Sequence, residues 1–219
     1  MWTRPRSSWP MAWRRTAPRA GLRSVGGEGV RELVYFIGVS LDGFIAGPDD
    51  QIDFYPMSEP YTEWMATEFG DALPTHVRRQ LGIDAEPNRR FDTVVMGRRT
   101  YDPALRLGVT SPYAHLRQVV VSRTLESPDP NVTVVRDDPV GAVRALKQET
   151  GLDVYLAGGG QLAGELLAEI DRLVVKLYPV VAGAGRTAFG TRFAPTRFQL
   201  DDLRSFPGGN AVLYYSRPR

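Results

Sequence analysis

The chain has 219 residues, 42% of them hydrophobic, and a formal net charge of +2, enough for one sizeable domain with a core. It has no cysteine and only two histidines, His76 and His115, which excludes a disulfide frame, a thiolate nucleophile and a His- or Cys-built metal centre, so no metal is expected. No stretch approaches the roughly 20 apolar residues of a membrane span, and a cytoplasmic protein acting on a small molecule is expected, with no membrane partner.

The charge is unevenly placed. Residues 1–30 carry six arginines and one acid, Glu28, which leaves 21 of the 27 basic and 24 of the 25 acidic side chains for residues 31–219. A nucleic-acid role would rest on that tail alone, and none is expected. Arg14-Arg15 resembles a twin-arginine export signal, but no apolar segment follows it before Gly21, so export is not expected. Composition changes abruptly at Val30. Residues 1–30 are expected to be a disordered basic tail or a mis-assigned start, with Val30 the true first residue. Only Lys147 and Lys176 are lysines; every other basic side chain is arginine.

From residue 31 the elements follow one another without a linker or a repeat. Residues 33–39 form an unbroken apolar run, the pattern of a strand buried on both faces. Ser40-Leu41-Asp42-Gly43 predicts a turn, and residues 44–47 a short return strand. A helix is predicted after a Ser58 cap, with Pro60 in its first turn and Tyr61, Trp64, Met65 and Phe69 on it. Residues 74–81 predict a second, shorter helix. Residues 92–97 read as a buried strand opening a short helix that Pro103 limits. Strands are predicted over 118–122 and 131–135, and a helix over 139–149. Residues 154–157 are a strand that runs into Gly158-Gly159-Gly160 and then a helix over 162–170. A strand over 171–178 precedes a glycine-rich loop over 180–190, and residues 197–205 and 211–216 close the chain as an antiparallel pair. The pattern is an α/β domain over 31–219, with a mixed, mostly parallel central sheet flanked by helices and antiparallel strands at the C-terminal end.

Three strand ends carry chemistry. Gly97-Arg98-Arg99-Thr100 places a glycine, two cations and a hydroxyl at a helix start, Ser122-Arg123 places a hydroxyl and a cation at a strand end, and Gly158-Gly159-Gly160-Gln161 is a side-chain-free turn into a helix. Ligands of open α/β sheets bind at the carboxyl ends of the strands. Two helix N-termini with arginine suit a pyrophosphate, and a separate Ser-Arg pair suits a third phosphate. Two phosphates and one more is the inventory of NADPH. The arrangement is neither the Rossmann fingerprint, which sits in a first βα unit with an acid about 20 residues on, nor a P-loop, since no Lys-Ser or Lys-Thr follows the glycines. Each motif taken singly also fits a capped helix or a solvated arginine.

These residues resemble the dihydrofolate-reductase-like superfamily, in the group holding the C-terminal reductase domain of the bifunctional riboflavin-biosynthesis deaminase-reductase. The resemblance is carried by 40–46, by 96–101, by Val121-Ser122-Arg123, by 156–160 and by 179–185 leading to Phe189. It implies a dihydrofolate-reductase-like fold and an NADPH-dependent reductase. Gly97, Arg98, Arg99, Thr100, Gly158, Gly159, Gly160 and Gln161 would hold the pyrophosphate, Ser122 and Arg123 the 2′-phosphate, and Val39, Ser40 and Ala46 would lie near the nicotinamide. The riboflavin reductase carries a lysine four residues before the motif serine, and this chain has Phe36 there. A homodimer is common among such relatives.

A reduced nicotinamide needs no nucleophile in the protein, only orientation, exclusion of water and a proton source. Asp42, beside the end of the first strand, is the expected proton donor, with a turn aspartate bonded to backbone as the alternative. Asp53, Phe54, Tyr61, Trp64 and Tyr101 are the expected substrate-side residues, with a core or lid role as the alternative for the aromatic ones. A non-catalytic nucleotide-binding protein on the same fold is the competing function.

Overall fold

The computed structural model describes residues 30–127, 129–190 and 192–218; the expectations for the N-terminal tail lie outside them. The strands are β1 (Leu33–Val39), β2 (Phe44–Ala46), β3 (Phe91–Gly97), β4 (Arg117–Val121), β5 (Val132–Val135), β6 (Asp153–Gly158), β7 (Arg172–Leu177), β8 (Arg186–Thr187), β9 (Gln199–Ser205) and β10 (Ala211–Ser216). The α-helices are α1 (Glu59–Phe69), α2 (Thr75–Gln80), α3 (Arg98–Arg106), α4 (Pro139–Gln148) and α5 (Gly160–Glu165), and a 3₁₀ turn, Gly70–Ala72, ends α1.

Eight strands form one sheet in the order β5-β4-β3-β6-β1-β7-β10-β9, and β2 pairs with β8 apart from it. The pairs from β5 to β7 are parallel, and β10 returns antiparallel between β7 and β9. The unbroken apolar run of β1 has a direct reason. Leu33 and Tyr35 point into one core cluster, with Leu156, Leu166 and Ile170; Val34 and Phe36 point into the other, with Trp64, Phe69 and Tyr155. A strand covered on both faces has no solvent side on which to alternate.

The amino ends of the strands are tied by charge. Buried Arg31 donates from Nε to the Leu152 carbonyl at 2.5 Å, from Nη2 to Thr93 Oγ1 at 2.8 Å and to the Asp92 carboxylate, and from Nη1 to Glu149 Oε2 at 3.4 Å. Buried Asp71 accepts the backbone N–H groups of Arg89, Arg90 and Phe91 on one oxygen, at 3.0, 2.6 and 3.0 Å. Asp171 accepts the N–H of Leu33 at 2.7 Å and pairs with Lys147 at 2.6 Å. A cavity of about 240 Å³ beneath the end of α1 lies at this same amino edge, since Asp71 and Arg89 line it.

Several local expectations fail for identifiable reasons. Helix α3 does not stop at Pro103 but runs on to Arg106. The proline forfeits one backbone donor, while fully buried Tyr101 donates to the Thr110 carbonyl and Arg98 pairs with Asp102 one turn on. The Ser58 side chain does not cap α1; its Oγ is buried without a partner among the described residues, and its N–H donates to Asn210 Oδ1 at 3.2 Å. The helix after the glycine turn ends at Glu165, earlier than predicted, and the glycine-rich loop contains the unpredicted β8, which pairs with β2.

Candidate functional site

Because β1, β3, β4 and β6 are parallel, their carboxyl ends leave the sheet on one edge. Met96 of β3 is in register with Gly158 of β6, and Gly97 with Val121 of β4, so the three motifs far apart in sequence become neighbours. The turn after β3 meets the turn after β6. A Cβ on Gly97 would stand 3.6 Å from both the Gly158 carbonyl oxygen and the Gly159 nitrogen, and a Cβ on Gly159 3.7 Å from Thr100 Oγ1. Glycine at these two positions leaves open a gap between two helix starts. Neither start has a side-chain cap, because Gly97 and Gly159 are the capping residues, so their first N–H groups face the gap.

The other two glycines of the turn have different work. Gly158 lies at φ 104°, a conformation side chains resist, and its bond to Gly159 is cis. Gly160, the first residue of α5 and expected among the phosphate ligands, is held to glycine by packing, which leaves its N–H at the helix start. Its Cβ would fall 2.0 Å from the Thr187 carbonyl oxygen, and its own carbonyl accepts the N–H of Gly190 at 2.8 Å. The glycine-rich loop thus seals the start of α5 from one side.

Around the gap stand polar side chains without partners. Exposed Arg99, Arg123 and Gln161 and half-buried Thr100 make no side-chain hydrogen bond or ion pair among the described residues. Arg98 is committed to Asp102. Ser122 is buried, and its Oγ accepts the N–H groups of Thr124 and Leu125 at 3.3 and 3.1 Å, which shapes the loop carrying Arg123 and leaves the hydroxyl proton free to donate. The cationic edge and the ion-paired amino edge therefore lie at opposite ends of the same strands. The unpaired donors, the two uncapped helix starts and the side-chain-free gap fit a dinucleotide carrying a further phosphate.

At the end of β1 the geometry corrects the proton-donor expectation. Ser40 is buried; its Oγ donates to Asp42 Oδ1 at 2.5 Å and accepts the Phe44 N–H at 3.0 Å. Asp42 also accepts the Ala182 N–H at 3.0 Å and the Gly183 N–H at 2.7 Å. The Ser40 bond, followed by these backbone donors, holds its carboxyl down at about 2. It is an anionic anchor between two loops, with no proton to give near neutral pH. A carboxylate whose folded pKa is depressed adds stability above its ordinary pKa of 3.8 and loses it as pH falls through about 2. Asp42→Asn is therefore expected to lower Tm at pH 7, with the gap to the wild type closing between pH 4 and pH 2. A gap that stays constant over that range would remove the anchor role.

The substrate-side expectations divide. Tyr61, Trp64 and Tyr101 are corrected to core residues: all are buried, Tyr61 Oη shares a hydrogen bond with Tyr178 Oη at 2.8 Å, and Trp64 packs against Tyr61, Phe69 and Phe206. The apolar side of α1 and the first turn of α3 face inward, which residue type alone does not reveal. Asp53 is exposed, and half-buried Phe54 leans on Tyr55 at 4.4 Å between ring centroids. Tyr55, missed in the sequence, donates to the Phe44 carbonyl at 2.7 Å and stacks on Tyr178 at 4.3 Å, so it ties the loop after β2 to the chain leaving β7. Val39 and Ala46 are buried, and a Cβ on Gly185 would fall 2.1 Å from the Ala46 carbonyl oxygen.

The family model described as the RibD C-terminal domain matches residues 31–213. The chain is 30% identical over 191 residues to the uncharacterized protein YwjB of Bacillus subtilis (strain 168), spanning 85% of this chain and 98% of that one. It is 23% identical over 198 residues to the uncharacterized protein YyaP of the same organism, spanning 84% and 94%. Its fold is similar to a putative riboflavin biosynthesis protein from Shewanella sp. PV-4, with TM-score 0.64, 23% identity and coverage of 86% and 99%. It is also similar to dihydrofolate reductase from Enterococcus faecalis complexed with NADP(H), with TM-score 0.60, 13% identity and coverage of 87% and 99%. A third likeness is to a diaminohydroxyphosphoribosylaminopyrimidine deaminase/5-amino-6-(5-phosphoribosylamino)uracil reductase from Thermotoga maritima, with TM-score 0.56, 14% identity and coverage of 86% of this chain and 57% of that one. No described helix is long and apolar enough to cross a membrane, and no described cluster of His, Asp and Glu could hold a metal ion.

Proposed function

The chain belongs to the RibD C-terminal domain family, and from that premise we propose that it is an NADPH-dependent reductase of a small heterocyclic substrate, similar to 5-amino-6-(5-phosphoribosylamino)uracil reductase. The observation that carries the reading is the set of side chains unpaired among the described residues, Arg99, Thr100, Arg123 and Gln161, around two uncapped helix starts at one sheet edge. Arg99, Thr100, Gln161 and the N–H groups after Gly97 and Gly159 take the pyrophosphate, and Arg123 with the Ser122 hydroxyl takes the 2′-phosphate. Val39 and Ala46 lie beside the nicotinamide and exclude water from it. When bound, the dinucleotide supplies the hydride. The site needs no metal, works in the cytoplasm and has no nucleic-acid partner; a homodimer is the proposed assembly.

A second reading, a nucleotide-binding protein without turnover, is favoured by one observation: Asp42 is held as a carboxylate and gives no proton. Nicotinamide fluorescence followed by an acceptor screen separates the two. Quenching at micromolar NADPH with oxidation of a pterin or pyrimidine acceptor is the expected result. Quenching without oxidation of any acceptor supports the second reading, and no quenching at all overturns both.

A further inference from the structure

We propose that Lys176 is the acid of this cleft: its ammonium touches the heteroatom of the substrate double bond and protonates it as the neighbouring carbon is reduced. The proposal rests on the reductase reading and names the group that Asp42 does not supply.

The position follows from register. Lys176 lies opposite Gly38 of β1 and Val212 of β10, whereas Phe36 lies opposite Val174. Lys176 is thus two residues nearer the carboxyl edge than the strand partner of Phe36, on the same face of the sheet. Its Nζ stands 3.9 Å from the centroid of the Phe36 ring. One face of that ring is taken by Phe69, stacked at 4.4 Å and 20°, and Arg90 covers Phe69 in turn at 4.6 Å. The ammonium therefore occupies the remaining face, toward the carboxyl edge of the sheet.

Among the described residues Lys176 makes no hydrogen bond and no ion pair, while the other lysine, Lys147, pairs with Asp171 at 2.6 Å and donates to the Glu169 carbonyl at 3.1 Å. The titratable side chains turned inward on the packed elements are phenols, Tyr55 from the loop after β2, Tyr61 from α1, Tyr178 after β7 and Tyr214 from β10, while Glu59 and Glu63 of α1 are exposed. Burial pushes all four phenols up, so they are uncharged at neutral pH. On β9, Asp202 and Arg204 are one strand further out, opposite Tyr214 and Val212, and the Glu68–Arg90 pair lies beyond Phe69.

Two effects oppose each other at the amine. The Phe36 ring favours the ammonium, and burial without a counter-charge disfavours it. Burial wins, and the amine is pushed down to about 7, where it both holds and releases a proton at working pH. An arginine cannot do this, because it stays protonated. In a chain where two of 27 basic side chains are lysine, one of the two stands here.

In the step, a C=N or C=O carbon accepts the hydride of the reduced nicotinamide, the Nζ–H bond of Lys176 breaks and an N–H or O–H bond forms on the substrate. The neutral amine then regains a proton from solvent, so charge and atoms balance.

The test begins without a substrate. Reductive methylation with ¹³C-formaldehyde labels the N-terminus, Lys147 and Lys176. One lysine signal, absent from Lys176→Met, is expected to titrate near pH 7. NADPH affinity of Lys176→Met and Lys176→Arg is expected to stay within about twofold of wild type, as neither touches the phosphates. Turnover of the acceptor found in the screen falls about 100- to 10,000-fold in both variants. The wild-type kcat declines as pH rises through about 7, and that limb disappears in Lys176→Arg, which keeps the charge but not the transferable proton. A Lys176 signal titrating above pH 9 overturns the proposal, as does a Lys176→Met enzyme that keeps the limb and more than about a tenth of its turnover. Wild-type protein that binds no NADPH while Lys176 titrates near pH 7 overturns the reductase reading instead.

Discussion

Arg123→Ala is expected to weaken NADPH binding about 10- to 100-fold and to leave NADH within about twofold. Arg123 is exposed and has no ion pair among the described residues, so its guanidinium is free for a ligand. Its loop is fixed by the Ser122 hydroxyl and by Arg136, whose Nη1 donates to the Arg123 carbonyl at 3.1 Å. A hydrogen bond to a charged group contributes about 1.5–3 kcal/mol, and each 1.4 kcal/mol is about tenfold in affinity, which sets the range. NADH lacks the 2′-phosphate and has nothing to lose there. Arg136 is itself drawn toward Glu126 at 3.6 Å, so Arg136→Ala should show the same selectivity at smaller size. Titrating both dinucleotides against wild type and Arg123→Ala by fluorescence decides the matter. Equal losses for the two would remove Arg123 from the 2′-phosphate site.

At the opposite edge, Arg31→Met is expected to lower stability by about 3 kcal/mol, through the penalty of breaking a buried ion pair from one side. The Arg31 side chain is 3% exposed and that of Asp92 34% exposed. One guanidinium joins the start of β1 to Asp92 and Thr93 of β3, to the Leu152 carbonyl before β6 and to Glu149 after α4. Methionine refills much of the volume but leaves Asp92 with only the Leu152 N–H at 2.7 Å and the Thr93 hydroxyl at 2.7 Å. For a domain of this size the loss corresponds to a fall in Tm of roughly 6–12 °C. Adding Asp92→Asn should cost less in the Arg31→Met background than in wild type, because the unpaired charge is already exposed as the problem. Urea unfolding of the four proteins reads both effects, and a single-variant loss under about 1 kcal/mol would show that the clamp is dispensable.

These two arginines illustrate what residue type conveys. Both are cations near a strand end, and nothing local distinguishes them. Arg31 meets partners 61 to 121 positions away, whereas the Arg123 guanidinium meets none among the described residues. Asp42 poses the same problem in reverse. Its place in a turn was legible, and its strongest donor, the Ser40 hydroxyl, is two residues away, but the Ala182 and Gly183 N–H groups that complete its anchoring lie 140 and 141 residues further on. Tyr61, Trp64 and Tyr101 were legible as large aromatic residues on helices. Which way they point depends on the strand order, and that order brings β1 and β6 together over the face that α1 covers.

The sequence by itself determined the elements, because their signals are local: unbroken apolar runs for strands buried on both faces, and glycines where the chain turns into a helix. It also determined the family, through short motifs kept in order. Only the tertiary structure decided the use of each motif. Parallel pairing set Gly97, Val121 and Gly158 on one edge, and the glycine-rich loop packed Thr187 against Gly160. Among the described residues the fold left the Arg99 and Arg123 side chains unpaired while Arg31 was clamped, and it set Lys176 against Phe36 without an ion pair. The physical reason is that charge state and availability depend on what surrounds a side chain, and those surroundings are assembled from residues distant along the chain.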